Sequence, residues 1–395
     1  MNWDPVQLER EKPVIAAFEA AHPGVKVETL GMPPQDYWPR LSALAASGDL
    51  PDVMMMSSGY IQQWADAGNL ADLTSLSKDI DFSAYTKSAV DTARINNGLY
   101  AIPLSWSGPV LFYNKDAFDA AGLSYPSSDW TWDKFLAAAK KLTVKKNADG
   151  APSQWGYSVF GRYAEVDGWV YRNGGRYLNS DSTALEPNPA AIHALKYLTD
   201  LVVKEKVAPT PKDMQGVRYQ DIFPLGMSAM WIDGSWNING VRTVVGNKFK
   251  WGIAEVPKGP DATPETVRAY AWPDMLSVSM TSKQKELALA FIRQMTEARS
   301  PNDFLGGTVP AYKPIAARQE WLERDKQPDN KDVILKIGEQ QLYTGFSKNW
   351  DAWRGYGASG SAGMNGELDE VFNGRKSLDE AVKSFVAYAN DILNR

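Results

Sequence analysis

Tryptophan is the residue type whose chemistry stands out in this sequence. The 395 residues include 15 tryptophans but 2 histidines and no cysteine. A flat indole face stacks on the apolar face of a sugar ring, and the indole N–H donates one hydrogen bond to a hydroxyl. Core packing is the competing interpretation for each tryptophan, because the large ring is well buried on average. The excess therefore indicates a ligand surface only where tryptophans lie at strand ends and turns.

The composition excludes several classes of protein. A chain without cysteine has no disulfides, thiol nucleophiles or thiolate metal sites. His22 and His193 fall at solvated helix positions, so we expect no histidine triad, zinc site or histidine general base. The net charge of −5 argues against nucleic acid and anionic membranes as partners. The glycine loops of nucleotide-binding proteins do not occur, and we expect neither a cofactor nor a metal.

The start of the chain carries no signal-peptide pattern, since Met1 is followed directly by Asn2 and Trp3. No apolar run in the sequence is long enough to span a bilayer. These features fit a cytoplasmic protein as well as a mature exported protein.

Helical and extended patterns alternate in the N-terminal part of the chain. A helical pattern that ends at Pro23 precedes a strand pattern at 25–28, and an apolar strand at 53–56 ends in Ser57 and Ser58. Such alternation predicts a parallel sheet with right-handed crossovers. Ligands bind beyond the carboxyl ends of strands in such sheets, which makes the two serines candidate site residues.

Aromatic and acidic residues occur at further strand ends in the middle of the chain. A predicted loop at 104–108, between two extended segments, contains Trp106. A strand at 229–232 ends in the turn Asp233–Trp236, and Trp272–Pro273–Asp274 directly precedes an apolar strand. These turns place indole rings and carboxylates where a ligand surface could form.

Short segments along nearly the whole chain also form a family pattern by their order and spacing. They are Phe18–Val27, Ala46–Val53, Ala67–Leu73, Gly98–Pro103, Leu111–Asp116, Thr131–Phe135, Asn173–Gly175, Phe223–Met230 and Gly234–Trp236. Together they resemble the extracytoplasmic solute-binding proteins of ABC importers, specifically the carbohydrate-binding family that includes maltose-binding protein.

The resemblance implies an α/β protein with the two-lobe periplasmic-binding-protein fold of type II and a three-segment hinge. The hinge crossings would lie near 109–111, 276–278 and 309–311. The N-terminal lobe would comprise residues 1–109 plus 278–309, the C-terminal lobe residues 110–277 plus 310–395, with a ligand cleft between them. Closure around such a hinge buries a ligand.

One feature departs from the family pattern. Family members open with a full β-strand that ends in an aromatic residue, whereas here only Met1–Asn2–Trp3 precedes the first turn. The first strand is therefore expected to be clipped or very short. Trp3 and Asp4 still match the strand-end position of the family.

Candidate ligand residues come from both predicted lobes. Of Tyr37 and Trp38, and again of Trp231 and Trp236, one member is expected to face the cleft while the other packs. Trp350 and Trp353 are three residues apart and would share a helix face. The full set is Trp3, Asp4, Tyr37, Ser57, Ser58, Trp106, Trp169, Trp231, Gly234, Ser235, Trp236, Trp272, Asp274, Trp350, Trp353 and Arg354.

The function expected from these residues and the resemblance is that of a carbohydrate receptor, not an enzyme. It would bind a mono- or oligosaccharide by aromatic stacking and hydroxyl hydrogen bonds and deliver it to the transmembrane subunits of an ABC importer. The protein would be an extracytoplasmic monomer, either periplasmic or a cell-surface lipoprotein.

Two alternatives stay open at this point. An acidic sugar or a phosphorylated polyol would need cations, for which Arg162, Arg172, Arg176 and Arg354 are available. A glycosidase or polysaccharide lyase would also suit an aromatic cleft. A glycosidase needs two carboxyl groups at a fixed separation, and no sequence feature singles out such a pair. The sequence does not name the sugar, its length or its linkage.

Overall fold

The computed structural model describes residues 1–2, 5–145, 152–159, 161–214, 216–304, 306–340, 342–343, 346–347, 349–355 and 363–394. The chain forms two compact units. Unit 1 comprises Met1–Ser107, Trp272–Trp321 and Thr344–Lys348, and unit 2 comprises Gly108–Ala271, Leu322–Tyr343 and Asn349–Arg395. The candidates Trp3 and Asp4 lie outside the described residues.

The described residues form helices and strands throughout both units. The α-helices are α1 (Pro5–Ala21), α2 (Pro34–Ser47), α3 (Ile61–Asp66), α4 (Lys87–Thr92), α5 (Lys115–Ala120), α6 (Trp132–Leu142), α7 (Tyr163–Arg172), α8 (Pro189–Val203), α9 (Tyr219–Ile222), α10 (Ile238–Val245), α11 (Lys285–Glu297), α12 (Lys313–Ala316), α13 (Gln319–Leu322), α14 (Asp332–Gly338), α15 (Trp350–Arg354), α16 (Gly363–Phe372) and α17 (Leu378–Leu393). The strands are β1 (Val53–Ser57), β2 (Arg94–Ile95), β3 (Gly98–Leu99), β4 (Ile102–Ser107), β5 (Pro109–Asn114), β6 (Val144–Lys145), β7 (Pro152–Gln154), β8 (Met230–Gly234), β9 (Trp251–Ala254), β10 (Ala269–Tyr270), β11 (Trp272–Val278), β12 (Val309–Pro310) and β13 (Leu342–Tyr343). Short 3₁₀ turns cover Phe82–Ala84, Ser235–Asn237 and Pro301–Asp303.

A four-stranded sheet in the order β1-β11-β4-β12 forms the centre of unit 1. Each neighbouring pair in it is antiparallel, so the prediction of a parallel sheet is wrong for these neighbours. The physical reason is that β11, which comes late in the chain, lies between β1 and β4. Those two strands run in the same direction but do not hydrogen-bond to each other. The apolar side chains of Met54, Met56 and Met275 are fully buried in this sheet.

The first residues of the chain contact two segments of unit 1. The Met1 amino group donates to the Val53 carbonyl at 2.8 Å, and Asn2 forms a parallel bridge with Gly31. The strand predicted at 25–28 does not form. The physical reason is that the Asn2 backbone bonds reach residues 30–32, while the Val27 N–H donates to the Glu19 carboxylate at 2.8 Å.

In unit 2, β5 lies at the centre of a three-stranded antiparallel sheet with β8 and β9 on its two sides. Aromatic rings fill one layer against this sheet. The Phe112 ring lies 5.0 Å from Trp231 and 6.0 Å from Trp251, measured between ring centroids. Trp169 of α7 is fully buried, with its ring 5.0 Å from Phe135 of α6. This core holds the ends of β8 and α7 in place.

The boundaries of the units differ in detail from the predicted ones. Residues 272–277 belong to unit 1 because β11 is one continuous strand from Trp272. Residues 310–321 also stay in unit 1, where the Trp321 indole N–H donates to the Thr308 carbonyl at 3.0 Å. The role of the crossing segments as hinges stays a prediction.

Strand β4 covers residues 104–107 of the loop predicted at 104–108, so Trp106 lies in a strand and the loop prediction is wrong for these residues. A single residue, Gly108, separates β4 from β5. A Cβ atom at position 108 would lie 2.5 Å from the Tyr270 carbonyl oxygen. Only glycine allows the backbone to approach so closely, and the connection can therefore be this short.

Breaking a buried ion pair at the N-terminal end tests how unit 1 is held together. Glu11 is 3% exposed and accepts from Asn2, and its carboxylate lies 3.1 Å from Arg299, which is 2% exposed. Glu11→Gln leaves the arginine charge uncompensated, and we expect a loss of about 3–5 kcal/mol in the free energy of unfolding, measured by urea denaturation.

The matched control is Lys12→Gln, which removes a neighbouring exposed pair whose side chains are 65% and 67% exposed. Its expected effect is below about 1 kcal/mol. Equal losses in the two variants would contradict the role given to the buried pair.

Candidate functional site

Three polar side chains of unit 1 meet on one face of its sheet. Asp274 of β11 pairs with Ser57 of β1 on one side and with Ser105 of β4 on the other. Directly paired residues in antiparallel strands point to the same face. Burial raises the pKa of Asp274 to about 7. The group offers a carboxylate flanked by two hydroxyls at the end of β1.

The residues next to this group are more deeply buried. The Ser58 N–H donates to the Pro273 carbonyl at 3.1 Å, and its hydroxyl oxygen is buried without a hydrogen-bond partner among the described residues. Trp106 and Trp272 are 2% and 7% exposed. Both of these predicted stacking platforms are thus largely covered in the structure.

An aromatic stack lies beside the end of β1. Trp38 and Tyr60 stack with ring centroids 3.8 Å apart and planes at 15°, and both side chains are half-buried. Tyr37 is fully buried, and its hydroxyl donates to the Met55 carbonyl at 2.8 Å. The structure therefore favours Trp38 over Tyr37 as the outward residue. Tyr60 was not predicted, although it follows the serines at this strand end.

In unit 2 a buried carboxylate ends strand β8. Asp233 is 5% exposed. One of its oxygens accepts from the Gly234 N–H at 2.6 Å, and the other has no hydrogen-bond partner among the described residues. Burial raises the pKa of Asp233 to about 7. The sequence pattern places Asp233 in the turn after the strand at 229–232, but the predicted candidate ligand residues do not include it. The signal that identifies it is an acidic residue directly after an apolar strand.

The turn after β8 holds an indole ring close to the backbone. A Cβ atom at Gly234 would lie 2.2 Å from the ring of Trp236, so the absence of a side chain at 234 makes room for that ring. Trp236 is half-buried. Trp231 packs in the core instead, where its ring centroid lies 5.0 Å from that of Phe112 and 6.2 Å from that of Phe223. Of the two tryptophans, Trp236 is therefore the one available to a ligand.

The backbone of the same turn is fixed to the start of β5. The Ser235 N–H donates to the Gly108 carbonyl at 2.8 Å, and the Ser235 hydroxyl accepts from the Gly108 N–H at 3.4 Å. Ser235 is fully buried. Its bonds give it a structural role in placing Asp233 and Trp236.

Helix α15 carries a second aromatic group of unit 2. Trp350 is half-buried, whereas Trp353 is 1% exposed. Arg354 is fully buried and donates to Asp167 of α7 at 2.7 Å. Burial raises the pKa of Asp167 to about 6, although the Arg354 charge opposes this. Trp169 packs in the core and donates to the Tyr157 hydroxyl at 3.3 Å. Trp350 is thus more exposed than Trp353, Arg354 and Trp169.

The arginines considered for an acidic ligand already bond to protein groups. Arg162 donates to both carboxylate oxygens of Asp369, at 3.1 and 2.7 Å. Arg172 bonds to Glu255 at 3.1 Å, and Arg176 donates to the Leu178 carbonyl at 2.6 Å. Charge-assisted bonds of this kind are strong. An acidic ligand would have to compete with them.

The described part of the chain offers neither a metal cluster nor a membrane span. No cluster of three histidine, cysteine, aspartate or glutamate side chains there could hold a metal ion. Within the same residues, no helix is both long and apolar enough to cross a membrane.

Comparison with known protein sequences gives a family and two informative relatives. The sequence pattern of the bacterial extracellular solute-binding protein family matches residues 6–300. A multiple sugar-binding protein of Streptococcus mutans is 26% identical over 368 residues, which cover 86% of this chain and 79% of that protein. A putative binding protein of Brucella abortus is 24% identical over 276 residues, which cover 69% of this chain. That match spans 64% of the Brucella protein, less than two thirds of its length.

The structure is similar to an ABC substrate-binding protein of Listeria monocytogenes solved in complex with cycloalternan. The two chains are 29% identical, the match covers 100% of this chain and 97% of the other, and the TM-score is 0.82. This similarity confirms the two-lobe α/β solute-binding-protein fold that the sequence predicts.

Adding a methyl group at Gly234 tests the packing of Trp236. We expect Gly234→Ala to displace the indole ring and to lower the free energy of unfolding by about 1–3 kcal/mol, the usual cost of overpacking. The change should be visible in near-ultraviolet circular dichroism. The control is Gly240→Ala in helix α10, where a Cβ atom meets nothing within 4 Å. That change should leave the spectrum unaltered and stabilise slightly. An unaltered spectrum in Gly234→Ala would show that the ring is not held there.

The unusual pKa of Asp233 predicts a pH dependence of stability. Its folded-state pKa of about 7 lies above the ordinary value of 3.8, so the native state keeps a proton that the unfolded state has lost. The free energy of unfolding attributable to this group therefore falls as the pH rises from about 4 to about 7.

Thermal melts at pH 5 and pH 8 measure this effect. Asp233→Asn should reduce the drop in melting temperature by several degrees, whereas Asp49→Asn at an exposed position should leave the drop unchanged. Identical pH profiles for wild type and Asp233→Asn would contradict the assignment.

Proposed function

The chain belongs to the family of bacterial extracellular solute-binding proteins, and from this premise we propose that it binds a carbohydrate and delivers it to the transmembrane subunits of an ABC importer. The observation that carries the proposal is Asp233, whose buried carboxylate has one oxygen without a partner among the described residues. A buried polar atom without a hydrogen bond is costly. A sugar hydroxyl would supply the missing donor.

Polar groups of unit 1 support the same type of ligand. Asp274 lies between Ser57 and Ser105, and the Ser58 hydroxyl is buried without a partner among the described residues. Hydroxyls and carboxylates complement the donors and acceptors of a sugar.

Half-buried aromatic rings supply the apolar part of the recognition. Trp38 and Tyr60 form a stack in unit 1, and Trp236 and Trp350 are half-buried in unit 2. An indole face offers a rigid apolar surface to the C–H face of a pyranose ring, and its N–H still bonds to a hydroxyl. Several such rings favour an oligosaccharide over a monosaccharide.

The relatives support a sugar as the solute. The Streptococcus mutans relative is named a multiple sugar-binding protein, and the Listeria neighbour was solved with cycloalternan. The ion pairs of Arg162, Arg172 and Arg354 with carboxylates favour a neutral sugar over an acidic sugar or a phosphorylated polyol. As in the family, we place the protein outside the cytoplasm, in the periplasm or on the cell surface, as a monomer.

Binding without turnover is part of the proposal. The family and the Listeria neighbour are binding proteins. The alternative hypothesis, a glycosidase, requires two carboxyl groups that flank one glycosidic bond. Asp233 and Asp274 have the raised pKa values of a potential acid, so product release must be measured directly.

Titration calorimetry with a saccharide panel tests the function. The panel contains maltose, maltotetraose, lactose, a galactotriose and cycloalternan, and chromatography after each titration checks for cleavage. We expect saturable binding of at least one oligosaccharide, recovered intact. No heat with any saccharide would contradict the proposal, and cleavage products would favour the glycosidase alternative.

Substitutions identify the residues involved. Trp236→Ala, Asp233→Asn and Asp274→Asn should each raise the Kd about tenfold or more, equivalent to about 1.4 kcal/mol, because each removes a stacking face or a hydrogen-bond acceptor. The control is Trp130→Phe, at a largely buried ring next to Phe118, which should leave the Kd unchanged. Unchanged affinity in all three variants would remove these residues from the site.

A further inference from the structure

The short helix α15 needs support from the rest of unit 2. It has five residues, Trp350–Arg354. Asn349 before it and Gly355 after it both adopt the left-handed conformation, with φ of 53° and 88°. Isolated helices of this length are unstable in water. The position of its half-buried tryptophan, Trp350, therefore depends on tertiary contacts.

Arg354 makes several of these contacts from a fully buried position. Its guanidinium donates to Asp167 of α7 at 2.7 Å, and Asp167 is itself 1% exposed. The same group lies 3.9 Å from the sulfur of Met364 in α16. A buried charge pair of this kind is costly to break from one side, because the remaining charge is left uncompensated.

The guanidinium also faces three aromatic rings. Its central carbon lies 5.2 Å from the Tyr177 ring centroid, 5.6 Å from Trp350 and 5.5 Å from Trp353. Cations within about 6 Å of an aromatic face attract it. Of the three rings, Trp353 and Tyr177 are buried and Trp350 is half-buried. The cation therefore links the buried core to the ring that a ligand can reach.

We propose that Asp167 and Arg354 are positioning residues for carbohydrate affinity: the Asp167 carboxylate fixes the Arg354 guanidinium, which in turn sets the orientation of the Trp350 ring. This inference rests on the proposed function, in which Trp350 is a stacking platform. A ring held in its binding orientation loses less conformational freedom when the ligand binds, so affinity is higher. Neither charged residue needs to touch the ligand.

A double-mutant cycle on the Kd separates positioning from general stability. It combines Asp167→Asn and Trp350→Ala, and the probe is the tightest-binding saccharide of the panel. Trp350→Ala and Asp167→Asn should each weaken binding about tenfold. In the Trp350→Ala background, Asp167→Asn should change the Kd less than about twofold, because no ring is left to position. An unchanged Kd in Asp167→Asn, or the same factor in both backgrounds, would overturn the inference.

Two further variants guard against an effect of stability alone. Glu255→Gln removes the carboxylate from the Arg172 pair, which also lies in unit 2. It should lower the melting temperature and leave the Kd unchanged. Arg354→Lys keeps a cation for Asp167 but loses the planar group over the rings. It should weaken binding even if Asp167→Asn does not fold, and wild-type affinity in Arg354→Lys would contradict the role of the guanidinium.

A spectroscopic measurement without ligand keeps this inference distinguishable from the proposed function. In protein labelled with 5-fluorotryptophan, the Trp350 resonance is assigned by its loss in Trp350→Phe. Asp167→Asn and Arg354→Lys should shift or broaden that resonance, and Glu255→Gln should not. If the wild type binds no saccharide, the proposed function fails while this measurement still decides the positioning role. An unmoved resonance in both variants would overturn it.

Discussion

The placement of β11 between β1 and β4 is the constraint on which unit 1 depends. Strands β1 and β4 come early in the sequence. The chain then passes through unit 2 and returns as β11, which pairs with both strands. Without that return, two strands running in the same direction would have no hydrogen-bonded neighbour between them. The pairing also fixes the candidate site, because its register sets Asp274 between Ser57 and Ser105.

In unit 2, aromatic packing fixes the position of a candidate site residue, Asp233, as strand pairing does for Asp274 in unit 1. The rings of Trp231, Phe112 and Phe223 contact one another, which fixes strand β8 up to its last residues. The polar end of that strand, with Asp233, then lies at the edge of a rigid core. In both units, polar and aromatic side chains useful to a ligand follow directly after buried strands. Rigid strands place such groups more accurately than long loops would.

Features that depend on neighbours in the sequence were predictable. The helix that ends before Pro23 and the strand at 53–56 both occur, because periodicity and apolar runs act within a few residues. The strand end at Ser57 and the turn at Gly234–Trp236 were found in the same way. Family segments then supplied the two-lobe fold, which local patterns alone would not have specified.

Features that depend on distant residues were not predictable in this way. The Trp38–Tyr60 stack joins a helix and a later turn, and Arg354 pairs with Asp167, which lies 187 positions earlier in the chain. The sequence presented Arg354 as a possible ligand contact, whereas burial and pairing make it internal. The prediction of a parallel sheet is wrong for the same reason, since only the fold reveals that β11 lies between β1 and β4.

The central claim is that the buried carboxylate of Asp233 and the half-buried rings of unit 2 hold a sugar. A crystal structure with a bound oligosaccharide tests it most directly. The account predicts a sugar hydroxyl within about 2.5–3.2 Å of the Asp233 carboxylate, with a pyranose ring stacked on Trp236 or Trp350. A sugar bound elsewhere, with no hydrogen bond to the Asp233 carboxylate, would contradict it.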